Sequence, residues 1–239
     1  MWRSASALHA RGAGQKFKPT GIIRRVVTGK VIAFLIGAVL AWPAVSSPGA
    51  ADTDLDARVK AFLAAHEGQW HDMNVPSVDG QTLHDLIEQH HYTRALEIGT
   101  STGHSGIWIA WALAHTGGRL ITIDIDETRH RQALANFEAA GVAARIDARL
   151  GDAHTLVPAL EGPFDFVFSD ADKPWNVKYL EALLPKVPVG GCFATHNVRP
   201  GGASWEGGDY LAFVRRVPNL ETTVDTRGAG LAISFKRGA

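Results

Sequence analysis

Apolar positions along this chain fall into two alternating rhythms, one of period about 3.6 and one of short unbroken runs. Asp54 to His66 and Gly80 to His91 carry the helical period, with Leu83, Leu86 and Ile87 on one face. Ala95 to Ile98 is an apolar strand, followed by a glycine-rich turn and a helix from about His104 to His115. Arg119 to Asp124 reads as a second strand, and Glu127 to Ala140 as the helix after it. The rhythm continues with a strand at Arg145 to Leu150, a short helix at His154 to Leu160 and a strand at Phe164 to Phe168. A helix containing Tyr179 to Leu184, a strand at Gly191 to Thr195 and a helix at Asp209 to Val217 complete it. Two strand-like stretches close the chain, Leu220 to Val224 and Leu231 to Phe235. Apolar strands separated by helices predict an α/β fold: a doubly wound, mostly parallel seven-stranded sheet with helices on both faces.

The first 50 residues break this rhythm. They hold seven basic side chains (Arg3, Arg11, Lys16, Lys18, Arg24, Arg25, Lys30) and no acid, and Lys30 is followed by 15 uncharged residues to Val45. That run is shorter than the ~20 residues of a membrane-spanning helix and matches a signal-peptide core of roughly 7–15. Small residues follow at Ala44-Val45-Ser46. The expectation is a targeting or anchor segment over 1–50 and a single folded domain over 51–239, with any membrane contact made by the segment alone. Such a domain is exported or tethered, or cytoplasmic if the segment is unused.

Charge and cysteine usage narrow the function. The whole chain balances 24 basic against 24 acidic residues, so removing the seven leaves 17 against 24 from Ala51 onward, a net −7. An acidic domain repels phosphate backbones, which excludes sequence-independent nucleic-acid binding. Cys192 stands alone, which excludes an internal disulfide, a zinc-finger cluster and a thioredoxin-like pair.

In doubly wound sheets the ligand sits at the carboxyl ends of the strands, where the strand order reverses. The first strand leaves through Glu97-Ile-Gly99-Thr-Ser101-Thr-Gly103-His-Ser105-Gly106. Glycines let that turn close tightly, and the following helix offers free N–H groups to an anion. The spacing differs from the G-x-G-x-x-G dinucleotide fingerprint, and no Tyr-x-x-x-Lys pair supports a dehydrogenase. Asp124 ends the second strand, placed to accept hydrogen bonds from two ribose hydroxyls, and Gly151-Asp152-Ala153 follows the third.

Taken together, these motifs resemble the class I S-adenosylmethionine-dependent methyltransferases. More narrowly, the chain is similar to the catechol and caffeoyl-CoA O-methyltransferase group through Met73-Asn74-Val75, Gly80-Gln81, Ser169-Asp170-Ala171-Asp172-Lys173, His196-Asn197-Val198 and Pro200-Gly201-Gly202-Ala203. The resemblance implies that Met73 and Val75 pack on the methionine end of the cofactor, and that Glu97, Gly99, Ser101, Gly103 and Ser105 line its amino-acid portion. Asp124 would bind the ribose, Ile125 the adenine face, and Asp152 and Ala153 the adenine edge. Asp170 borders the cofactor and, with His196 and Asn197, occupies the group's three metal-ligand positions. Lys173 matches the lysine that takes the proton from the acceptor hydroxyl, so Lys173, Asp170 and His196 form the expected catalytic set. Trp70 matches, one residue out of register, a tryptophan that guards the substrate site.

Methyl transfer from a sulfonium to oxygen is an in-line displacement, so alignment of donor and acceptor carries much of the catalysis. The acceptor must also lose a proton, which a divalent cation and a neighbouring lysine can assist. Histidine at 196, where the group carries aspartate, shifts the expected ion from magnesium toward manganese or a transition metal. The other outcome is no metal, with His196 a base beside Lys173. The expected partner is a small-molecule hydroxyl acceptor, phenolic or catechol-like by family default; a homodimer is a further option. A metal-independent methyltransferase and a non-catalytic S-adenosylmethionine-binding protein stand as the rival readings. His66, His71, His84, His90, His91, His115 and His130 show no ligand spacing and read as surface or helix-end residues, while Trp108 and Trp111 read as core.

Overall fold

The computed structural model describes residues 48–202 and 208–238. The apolar run ahead of Val45 and the residue Ala203 of the Pro-Gly-Gly-Ala motif lie outside these, so the targeting-segment expectation falls outside the described residues. No helix among the described residues is long and apolar enough to cross a membrane.

Seven strands form one sheet: β1 (Arg94–Ile98), β2 (Arg119–Asp124), β3 (Ile146–Leu150), β4 (Phe166–Ser169), β5 (Cys192–His196), β6 (Leu220–Asp225) and β7 (Leu231–Lys236). Their order is β3-β2-β1-β4-β5-β7-β6, with β7 antiparallel to both neighbours and all other pairs parallel. The helices are α1 (Pro48–Ala65), α2 (Ser77–His90), α3 (His104–Thr116), α4 (Glu127–Ala140), α5 (Ala153–Ala159), α6 (Asn176–Leu183) and α7 (Gly208–Val214).

Alternation along each strand decides which side it buries. Leu96 and Ile98 of β1, Val167 of β4 and Phe193 of β5 join one apolar cluster with α5, α6 and α7. Their neighbours Ala95, Phe166, Phe168, Cys192 and Ala194 face the other way, onto α2 and α3. A third cluster packs α1 and α4 against Ile107, Trp108 and Trp111 of α3. Nearly every residue of α3 is therefore buried, and Trp108 and Trp111 belong to the core as the spacing predicts. Gly80 makes the α2–α3 contact possible, since a Cβ there would stand 2.3 Å from the Trp108 ring.

The sequence boundaries shift where caps decide them. α2 begins three residues before the predicted start, because Pro76 suits a helix entry, and stops where His91 turns left-handed with φ 55°. α4 starts at Glu127 as predicted, with Asp126 as its cap, accepting the Thr128 and Arg129 N–H at 2.8 and 2.9 Å. The strand order reverses between β1 and β4, which puts the switch point beside the exit of β1.

Candidate active site

A cavity of about 470 Å³ opens at that switch point. Gly99 and Ser101 after β1, Asp124 and Ile125 after β2, Asp152 and Ala153 after β3, and Asp170 after β4 line it, with Met73 arching over. Eight of the twelve expected cofactor residues thus meet around one space. Gly99 is indispensable to the shape: its φ is +98°, and a Cβ there would fall 2.6 Å from the Asp170 carbonyl oxygen. Met73 and Ile125 are each 71% exposed, two large apolar side chains left in water beside the opening.

The carboxylates of the site have distinct tasks. Asp124 accepts the Ser101 N–H at 2.7 Å on Oδ2 and the Asp126 N–H at 2.8 Å on Oδ1, which fixes both flanking loops and leaves one lone pair on each oxygen. Asp152 caps α5 by accepting the His154 N–H at 2.9 Å. Glu97 lies sealed beneath the glycine turn, with Thr122 Oγ1 donating to its Oε2 at 2.6 Å. Its Oε1 is buried without a hydrogen-bond partner. Burial pushes the Glu97 carboxyl up to about 8, against the pull of hydrogen bonds from Ser105 and Thr122. A neutral buried carboxyl with one idle oxygen suits a ligand that brings a cationic amine, and Asp124 suits one that brings hydroxyls. The residues present fit a nucleoside-bearing amino acid.

Val75, Glu97, Gly103 and Ser105 are buried rather than cavity-lining: Val75 packs with Leu83 and Ile87, and Gly103 lies against the Phe137 ring. The Met73 segment is held by groups that sequence reading missed. Asp72 and Met73 adopt φ of 67° and 64°, and Arg129 grips Asp72 through two bonds of 2.6 and 2.9 Å. Asn74 Nδ2 donates to Thr102 Oγ1 at 2.7 Å. His104 Nδ1–H donates to the Val75 carbonyl at 2.9 Å while Trp108 Nε1–H donates to His104 Nε2 at 3.0 Å. Burial drives the His104 imidazole down to about 4, so it stays neutral in this role. Trp70 does not guard the cavity; it stacks on His104 with ring centroids 4.3 Å apart, within the α1–α3 cluster.

At the far side of Asp170 lies a chain of charges. Lys173 Nζ donates to Asp170 Oδ1 at 2.6 Å, and His196 Nδ1 stands 3.0 Å from Asp170 Oδ2. His196 Nε2 stands 3.0 Å from Asp79 Oδ2, which also accepts the Ala229 N–H at 2.8 Å. Both His196 nitrogens therefore face carboxylates. Burial alone would lower this imidazole, but hydrogen bonds to Asp170 and Asp79 outweigh it and carry the group up to about 9. Asp79 is the missed partner. It falls one residue before the predicted start of α2, where its first-turn position carried no signal.

This arrangement bears on both expectations for His196. As a general base it has no free ring nitrogen. As a metal ligand it turns both nitrogens to carboxylates, while Asp170 spends one oxygen on Lys173 and the other on His196. Asn197 follows at φ 56°, where the chain leaves β5. Asp170 and His196 as arranged are paired with each other, with Lys173 and with Asp79.

Comparison with known proteins agrees with the geometry. The chain is 39% identical over 125 residues to a catechol O-methyltransferase of Mycobacterium tuberculosis, covering 52% of this chain and 56% of that one. It is 33% identical to caffeoyl-CoA O-methyltransferase 1 of Eucalyptus globulus, covering 56% of each. The chain thus spans little more than half the length of these curated relatives. An O-methyltransferase from Bacillus cereus, solved in complex with S-adenosylhomocysteine, superposes with a TM-score of 0.64 at 27% identity, covering 77% of this chain and 91% of that one. Residues 50–225 match the sequence model of the O-methyltransferase family, and the chain belongs to that family.

Proposed function

We propose that this chain transfers a methyl group from S-adenosylmethionine to a hydroxyl group of a small molecule, phenolic or catechol-like. The observation that carries the reading is the idle Glu97 Oε1 under a glycine turn, at the switch point where Asp124 ends β2. Membership of the O-methyltransferase family and the names of the catechol and caffeoyl-CoA relatives support it.

The roles follow from position. Glu97 receives the ammonium of the cofactor's amino acid, with Gly99, Ser101, Gly103 and Ser105 shaping that end. Asp124 accepts from the ribose hydroxyls, Ile125 covers one adenine face, and Asp152 with Ala153 meets the adenine edge. Met73, backed by Val75, closes over the sulfur end. When bound, the cofactor supplies an electrophilic methyl carbon on a sulfonium. Lys173 takes the proton of the acceptor hydroxyl, which would ready that oxygen to receive the methyl group, and passes it to water. Lys173 Nζ is held against Asp170 Oδ1 at 2.6 Å. Asp79, His196 and Asp170 are positioning residues that keep Lys173 at the cavity edge. No step is routed through a metal.

The test is a panel of phenols and catechols with S-adenosylmethionine, assayed before and after exhaustive chelation. The expected result is turnover that survives chelation and drops about 10²-fold or more in Lys173→Met. His196→Asp restores an all-oxygen ligand set and should make turnover depend on magnesium. Chelation that abolishes the wild-type rate, with recovery on adding manganese or zinc, would overturn the metal-free route. Cofactor binding without turnover on any acceptor would favour the non-catalytic reading.

A further inference from the structure

Away from the cavity, three side chains that carry no ligand spacing in the sequence meet in space. His84 and Glu88 lie one turn apart on α2, and His115 occupies the last turn of α3. One donor atom from each lies within 4.8 Å of the other two. His84 Nε2 is buried without a hydrogen-bond partner and stands 3.6 Å from Glu88 Oε1, with the His84 side chain only 8% exposed. His115 Nδ1 contacts the same Glu88 oxygen. Because Thr116 at the end of α3 bonds back to Tyr92 ahead of β1, this cluster sits at the opposite edge of the sheet from the cavity.

The outer partners single out which nitrogens are offered. His84 Nδ1 stands 3.1 Å from Asp85 Oδ1, which fixes Nδ1 as the protonated nitrogen and leaves Nε2 as a lone pair. His115 Nε2 stands 2.8 Å from Asp56 Oδ1 on α1, so with the ring proton held there Nδ1 is the nitrogen turned to Glu88. Asp56 is itself held by Trp111 Nε1–H at 2.6 Å. Metal-ligating histidines typically give their second ring N–H to a carboxylate, and here both do. The two offered nitrogens converge on one Glu88 oxygen, His84 Nε2 at 3.6 Å, near the ~3.4 Å that zinc bonds of about 2.0–2.1 Å impose between ligand atoms of a tetrahedron.

We infer that His84, Glu88 and His115 bind a single transition-metal ion, with zinc best suited to two imidazoles and a carboxylate. The fourth position faces solvent through the His115 side, so water completes the tetrahedron. The ion ties α2 to α3 and, through Asp56, to α1. It is a structural clasp at the face of the sheet that α3 buries, separate from methyl transfer.

The test uses the untagged full chain, stripped with chelator and titrated with zinc in a calorimeter, with thermal melting alongside. One saturable site at about 10 µM zinc or below is expected, together with a raised melting temperature. Glu88→Gln and His115→Gln, both solvent-reaching positions, should each weaken that site by tenfold or more, and Asp56→Asn by about 10–100-fold. Asp170→Asn should leave it intact, which separates it from an ion at the cavity. Cobalt in place of zinc should give the visible absorption of a tetrahedral site in the wild type and lose it in His115→Gln. Absence of zinc binding at about 100 µM, or binding unchanged in both Glu88→Gln and His115→Gln, would overturn the inference.

Discussion

Glu97 lies sealed beneath the glycine turn, fully buried. Its carboxyl keeps its proton at pH 7, because burial raises it from an ordinary carboxyl value to about 8. An ammonium arriving at Oε1 favours the charged form and drives that proton off. Binding of S-adenosylhomocysteine at pH 7 should therefore release a proton, seen as a binding enthalpy that changes with the ionisation heat of the buffer. Glu97→Gln should abolish that dependence and weaken binding by about ten- to hundredfold, the size of a charged hydrogen bond of ~1.5–3 kcal/mol. A buffer-independent enthalpy in the wild type would remove Glu97 from the ligand. Asp124 does double duty at the same scale. Losing its carboxylate frees the Ser101 and Asp126 N–H groups as well as the proposed ribose contact, so Asp124→Ala should also lower stability, by about 1–3 kcal/mol in urea titration.

Elements, rather than residues, bring the cavity wall together, and their junctions tolerate little. Gly99→Ala places a methyl against the Asp170 carbonyl at a positive φ, which forces β1 and β4 apart at their exits. Cofactor affinity should fall at least tenfold in that variant, with a loss of stability of about 1–3 kcal/mol; a wild-type dissociation constant would contradict the packing described. Much of this was legible in the chain. Unbroken apolar runs such as Ala95–Ile98 marked strands, and Glu97, Gly99, Asp124 and Asp152 could be assigned to strand ends from their spacing. Contacts between elements distant in sequence were not legible. Asp79 meets His196 across 117 residues, and His84 meets His115 from a different helix, and neither pairing leaves a trace in local periodicity. His84, expected at the surface, is buried for that reason, while His115 stands at the end of α3 as expected. Trp70, matched one residue out of register by the resemblance, stacks on His104.

Across the whole molecule, two buried groups make stability depend on pH in the same direction. His196 sits at about 9 in the fold against 6.5 when unfolded, so its contribution is complete below pH 6.5 and disappears as pH rises through 9. The contribution is on the order of 3 kcal/mol. Glu97, raised from 4.5 to about 8, adds a loss that begins lower and overlaps. Urea midpoints should fall from pH 6.5 to 9.5, and His196→Gln should flatten that slope while lowering stability at pH 6.5, where it strands Asp79 and Asp170 without a cation. A slope unchanged in His196→Gln would mean that the imidazole is not charged in the fold. The central claim, that the space between β1, β2 and β4 holds S-adenosylmethionine, is tested most directly by calorimetric titration of the folded chain with S-adenosylhomocysteine. One molecule should bind per chain, with a dissociation constant about ten- to hundredfold weaker in Asp124→Ala under conditions where that variant is still folded. A folded wild type that gives no heat at millimolar S-adenosylhomocysteine, or a folded Asp124→Ala that binds as tightly as the wild type, would contradict it.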